Sequence, residues 1–307
     1  MKNYKEKIKY MFAFCILHFA FCISVFAGTI HVVATTQDLK SIAELIGGNK
    51  VDVFGIATGY QNPHFVDPKP SYIIKLSNAD LFVTVGLDLE TGWSPQLVTS
   101  SRNPKIQKGN SGYVDASIGV QLMQVPSSIN RGEGDIHIFG NPHYWLDPMN
   151  GKQIARNICD GLERISPENK SFFEANLQTF NSTIDQKIKL WTSEMAKYKG
   201  TKLIAYHNEW CYFENRFGLQ IVDFLEPKPG IPPTPSQLVK IIGEVKANSI
   251  KIIVSSPYFT TSSSDVVAKQ TGAKVLTLAT SVGAFDSVKN YYDVFDYDIN
   301  QIISALK

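Results

Sequence analysis

The segment SPENKSFFEANLQTFNSTIDQKIKLWTSEMAKYKG, residues 166–200, sets the tightest limit on what this chain can fold into. Its apolar positions Phe173, Leu177, Phe180, Ile184, Ile188, Trp191, Met195 and Tyr198 recur every three or four residues, which puts one apolar stripe on a single long α-helix. Ser166 can cap its start, Pro167 suits its first turn, and Gly200 ends it. From Pro167 to Lys199 such a helix runs about 50 Å at 1.5 Å per residue, too long to lie inside one small lobe. The pattern predicts a rod shared by two lobes. A coiled-coil dimer seam is the other use of such a stripe, but the flanking sequence offers cores for it to cover.

Those flanks alternate between two periods. Before the rod, IHVVAT (30–35), VDVFGIA (51–57) and LFVTVG (81–86) are short β-branched runs, separated by the helical patterns TQDLKSIAELIGG and KPSYIIKLSNA. After it, strands TKLIAYH, QIVDFL, KIIVSS and KVLTL alternate with helical NEWCYFENRFG, TPSQLVKIIGEVKANS and SSSDVVAKQTGA. Strand, helix, strand is the unit of a parallel sheet. The expected fold class is therefore α/β: two lobes with parallel sheets and separate cores, at residues 28–165 and 200–307, joined by one rigid helix at 166–199.

The chain opens with MKNYKEKIKYMFAFCILHFAFCISVFAGT. Lys2, Lys5, Lys7 and Lys9 precede an almost wholly apolar run, and Val25-Phe26-Ala27 resembles an A-x-A cleavage site, the grammar of a secretory signal peptide at 1–27 with the mature chain starting near Gly28. The apolar run, about 16 residues, falls short of the roughly 20 a spanning helix needs. Lipoprotein processing at Cys22 is disfavoured by the bulky Phe21 before it. Of the 30 basic and 28 acidic side chains, the leader removes those four lysines and Glu6, so the mature protein is near neutral and carries no nucleic-acid footprint. Of the cysteines only Cys159 and Cys211 lie beyond the leader, and the sequence leaves their pairing open.

Two fragments share a grammar: QNPHFVDPKPSY (61–72) and GNPHYWLDP (140–148) each run Asn-Pro-His, an aromatic, then Asp-Pro. His64 follows a strand of the first lobe, and His207 follows the strand KLIAY of the second. Ligands of open α/β sheets bind at the carboxyl ends of strands, so these two can face each other across a cleft that His143 also reaches. Neutral imidazole is the commonest metal ligand, and several at one point favour zinc over magnesium, calcium or manganese. Phe65, Tyr144 and Trp145 would supply a dry wall, and Asp67 and Asp147 would bond within their loops or orient a ligand imidazole. His31, within the first strand, reads as a hydrogen-bonded structural residue. From spacing alone, one shared metal site and unrelated surface histidines both remain open.

The motifs NPHFVDPKPSYIIKLSNADLFVTVGLDLE, GNPHYWLDP and AYHNEWCYFENRFGL, in this order around a long helix, closely resemble the zinc- and manganese-binding solute receptors of ABC transporters, the ZnuA/TroA-like family. The resemblance runs over nearly the whole mature chain, to the closing NQIISALK. It implies two α/β lobes on one rigid helix, with metal held between them. It also implies His64, His143 and His207 as ligands of Zn2+, with Mn2+ second, and delivery to an inner-membrane ABC permease with its cytoplasmic ATPase. A periplasmic monomer is the expected form. The family's fourth ligand is a carboxylate, but the matching positions are Ser256 and Thr280, so three histidines with a water or open position are expected, with Glu209, Asp265 and Asp286 as possible substitutes. His137 falls where some zinc receptors carry a His/Asp-rich loop. It is expected to be a surface loop residue, with an accessory ligand as the other reading.

A transport receptor is the leading function, with no catalysis. A metal-dependent adhesin would use the same fold. A zinc hydrolase would need an activated water at the three histidines and a general base, for which only Glu209 offers itself, and no HExxH helix is present.

Overall fold

The computed structural model describes residues 28–127 and 137–307, so the expected signal peptide lies outside the described residues. Eight strands form two four-stranded sheets, all parallel. The first contains β1 (Ile30–Ala34), β2 (Val51–Gly55), β3 (Leu81–Thr84) and β4 (Tyr113–Asp115), in the order β2-β1-β3-β4. The second contains β5 (Lys202–Ala205), β6 (Gln220–Phe224), β7 (Ile252–Ser255) and β8 (Lys274–Thr277), in the matching order β6-β5-β7-β8. Parallel strands need crossovers and cover on both faces. That cover comes from α1 (Gln37–Gly47), α2 (Pro70–Ser77), α3 (Ser94–Ser100) and α4 (Pro148–Ile165) around the first sheet. Around the second it comes from α6 (Cys211–Phe217), α7 (Pro235–Ala247), α8 (Ser262–Thr271) and α9 (Tyr291–Leu306).

The rod is α5, Lys170–Met195, extended by one 3-10 turn at each end, Pro167–Asn169 and Ala196–Tyr198. Its 26 helical residues span about 39 Å. Phe173, Leu177, Phe180, Ile184, Trp191 and Met195 are buried along one stripe, which packs on α1 and α4 towards its start and on α6 and α9 further along. The stripe is thus used within the chain rather than as a coiled-coil seam. Four elements are absent from the sequence reading: β4, α3, the whole of α4 and the closing α9. Helix α4 shows its amphipathicity in Ile154, Ile158 and Leu162, all buried, and starts where the Asp147 side chain accepts from the Met149 N–H with Pro148 in the first turn.

The expected separate cores are corrected. One hydrophobic cluster runs continuously from the inner face of the first sheet (Val32, Leu81, Val83), through the α5 stripe, to that of the second (Leu203, Ile252, Val254). Smaller clusters cover the outer faces, around Phe82, Leu76 and Ile106 on one side and Ile204, Ile241 and Ile253 on the other. The lobes are also pinned by polar contacts: Asp38 of α1 accepts from the Ser281 hydroxyl and, at 3.1 Å, from the Val282 N–H. The Trp145 indole donates to the Thr280 carbonyl at 2.9 Å, and the Tyr291 hydroxyl donates to the Trp145 carbonyl at 2.6 Å. Cys159 and Cys211 are both free and buried, so they do not form a disulfide. His31 is exposed, with a ring nitrogen 3.6 Å from Asp52.

Candidate metal centre

The three histidines converge where the carboxyl ends of the two sheets face each other. One ring nitrogen from each of His64, His143 and His207 lies within 4.8 Å of the others, and the ring centres are 5.1, 5.5 and 5.7 Å apart. Four imidazoles or three around a tetrahedral ion, with metal–nitrogen bonds of about 2.0–2.1 Å, would stand roughly 5.2 Å apart by ring centre. The spacing therefore matches a common ion.

The repeated Asn-Pro-His grammar has a mechanical explanation. In each fragment the asparagine side chain reaches over the proline and accepts from the histidine N–H, Asn62 Oδ1 from His64 and Asn141 Oδ1 from His143, both at 3.0 Å. These turns fix the backbone from which each imidazole projects. The Trp93 indole donates to the Pro63 carbonyl at 3.0 Å and holds the first loop against its lobe. Asn141 does more: its Oδ1 also accepts from His143 Nδ1 at 2.9 Å, and its Nδ2 donates to the Asn208 carbonyl at 2.8 Å, beside His207.

His207 is oriented by register. Ala205 of β5 pairs with Phe224 of β6, so the residues two beyond each, His207 and Glu226, lie side by side past the strand ends. His207 Nδ1 donates to Glu226 Oε2 at 2.6 Å, with both side chains buried. With Nδ1 committed as a donor, Nε2 is the nitrogen that His143 and His207 can offer a metal. His64 Nε2 stands 3.1 Å from His143 Nε2, close to the roughly 3.3 Å edge of a zinc tetrahedron. Burial, reinforced by the neighbouring histidines, holds His64 and His143 well below the ordinary imidazole value, so both are neutral and ready to coordinate.

Several sequence expectations are revised by these contacts. Asp147 orients no imidazole: it caps α4 and takes a two-pronged ion pair from Arg216 at 2.7 and 2.8 Å. Asp67 is exposed. The orienting groups are instead Asn141 and Glu226. Asn141 could have been found as the residue two before the histidine, whereas Glu226, 19 residues from His207, needed the strand register. Tyr144 and Trp145 form the buried wall, with the Trp145 ring 5.4 Å from His143, but Phe65 points outward and is 61% exposed. Ser256 and Thr280 are buried, and Ser256 and Tyr258 both donate to the wholly buried Glu209, whose carboxyl burial pushes up. Asp265 and Asp286 are exposed, Asp265 accepting from Thr261 at the start of α8. Among the described residues the histidine cluster holds no carboxylate.

A two-lobed α/β protein with imidazoles gathered between its sheets defines a class, the metal-binding receptors. The family described as "Zinc-uptake complex component A periplasmic" matches residues 32–305, and the chain belongs to that family. It is accordingly a metal-binding solute receptor of an ABC importer, works with a permease and an ATPase, and is not an enzyme. The manganese ABC transporter substrate-binding lipoprotein PsaA of Streptococcus anginosus is 25% identical over 282 residues, covering 89% of this chain and 88% of PsaA. The iron ABC transporter substrate-binding lipoprotein MtsA of Streptococcus pyogenes serotype M1 is 26% identical over 287 residues, covering 89% and 88%. A crystal structure of ZnuA superimposes with a TM-score of 0.77 at 23% identity, covering 91% of this chain and all of that one, a likeness of fold.

Proposed function

We propose that this receptor takes Zn2+ in preference to Mn2+, holding it with His64, His143 and His207 and handing it to the permease. The observation that carries the reading is the donor set: three imidazoles, His64 and His143 held neutral by burial and Nδ1 of His143 and His207 tied to Asn141 and Glu226, and no carboxylate in the cluster among the described residues. Imidazole nitrogen suits zinc, whereas manganese is better served by oxygen donors. Zinc here is cargo, and ion transfer needs only that the ligands be given up to a competing site. Secretion through a cleaved signal at 1–27, a periplasmic monomer beginning near Gly28, and lobes at 28–165 and 200–307 on a helix at 166–199 complete the proposal. Competition titration of chelator-stripped protein with zinc and manganese tests it. Zinc should win clearly, and His64→Ala, His143→Ala or His207→Ala should each lose most of the zinc affinity. A parent that prefers manganese, or three variants that bind as the parent does, would overturn the reading.

A further inference from the structure

A fourth histidine stands at the cluster. The His137 ring stacks on His64 with centres 4.9 Å apart and lies 6.2 Å from that of His143, edge to face. Its Nε2 is buried and has no hydrogen-bond partner among the described residues. Leaving a buried acceptor unpaired costs about 1–3 kcal/mol, so it calls for an explanation.

Packing does not supply one. The two residues that follow, Ile138 and Phe139, are apolar yet 37% and 52% exposed, while the more polar histidine turns inward. Hydrophobic burial alone would order the segment the other way. The inward turn has its own fixture. The Leu87 carbonyl faces the His137 ring as a hydrogen-bond acceptor, while Nε2 has no partner among the described residues. That carbonyl sits in a run of three left-handed residues, Gly86, Leu87 and Asp88, with φ of 80°, 53° and 65°. Only the first is a glycine, so the turn is strained and persists because other contacts fix it. Glu90 provides them, accepting from the Val85 N–H at 2.6 Å, the Gly86 N–H at 3.0 Å and the Thr35 hydroxyl at 2.6 Å. Like His143 and His207, His137 has an acceptor beside its ring.

We propose that His137 is the fourth metal ligand, its Nε2 joining those of His64, His143 and His207 in an all-imidazole site. The inference rests on the three-histidine reading above and replaces the open or water-filled fourth position expected from the sequence. Against the roughly 5.2 Å ring spacing of a tetrahedral site, the separation from His64 is close and that from His143 is about 1 Å too wide; His137 stands outside the group whose nitrogens already lie within 4.8 Å of one another, so its ring must move inward to complete the sphere. Four neutral nitrogens would sharpen the preference for zinc over manganese beyond what three provide.

The test uses the full chain carrying isotope-labelled histidine and loaded with NMR-active cadmium, a spectroscopic stand-in for zinc. Four imidazole nitrogens coupled to the metal, His137 Nε2 among them, are expected. In parallel, zinc competition compares the parent with His137→Ala, His137→Gln and His143→Ala. Loss of a ligand should exceed the roughly 10–100-fold loss that follows removal of an outer hydrogen-bond partner, and glutamine should not rescue it. Metal coupling at the other three histidines but not at His137 overturns the proposal, even if His137→Ala weakens zinc, because the residue would then act only through packing. If His143→Ala also leaves the zinc affinity unchanged, the three-histidine reading itself falls.

Discussion

Replacing Glu226 by glutamine isolates what the second lobe contributes to the centre without removing a ligand. The carboxylate takes the His207 Nδ1 proton at 2.6 Å in a buried pair, and no lysine or arginine bridges to it among the ion pairs of the described residues. A hydrogen bond to a charged group contributes about 1.5–3 kcal/mol and one between neutral groups about 0.5–1.5, so glutamine, which can still accept, should lose about 1–1.5 kcal/mol. When metal binds, the imidazole becomes a stronger donor and the partner's negative charge matters more. This puts the loss in zinc affinity for Glu226→Gln at about tenfold. Glu226→Ala, which removes the acceptor as well and frees the ring to rotate, should approach 100-fold. Competition titration near neutral pH reads both. Parental affinity in the two variants would refute the claim that the β5–β6 register orients His207 for coordination, and equal losses would refute the charge argument while keeping the positional one.

Acid should weaken the ion-free fold in a defined window. The folded state holds His64 and His143 well below the ordinary value and His137 at about 4, while the unfolded chain titrates near 6.5. Below about pH 6.5 the unfolded state binds more protons, so the stability these residues allow is complete above that pH and is lost as pH falls towards the folded values. A urea midpoint of stripped protein that does not drop between about pH 7 and pH 5, or that rises, contradicts this. Trp191→Ala removes a buried indole that also donates to Asp296 at 2.8 Å, and should lower stability by about 3–5 kcal/mol; a loss under about 1 kcal/mol would mean that the rod is not held by its stripe. Because one core and the Asp38 and Trp145 contacts join the lobes, X-ray scattering of stripped and zinc-loaded protein should give nearly equal radii of gyration. A large decrease on loading would show a hinge that these contacts exclude.

The sequence by itself determined the parts whose cause is local. The α5 stripe is legible because a helix with a period of 3.6 residues must repeat its buried face, and the β-branched runs are legible because parallel strands are covered on both sides. His64, His143 and His207 could be selected because each follows a strand or a turn written into its own motif. Helix α4 carries its Asp-Pro cap and apolar spacing in the sequence, but Asp147 sits in a histidine motif where a bond within its loop or to an imidazole competes with the reading as a helix start. What only the tertiary structure decided are relations between segments distant in sequence. Glu226 meets His207 through a strand register, Asp147 is claimed by Arg216, and the lobes share one core. His137 turns inward against the hydrophobic order of its own segment because a strained turn 50 residues earlier, held by Glu90, offers it a carbonyl. Periodicity records which face of an element is buried, but carries no information about which other element will be found there.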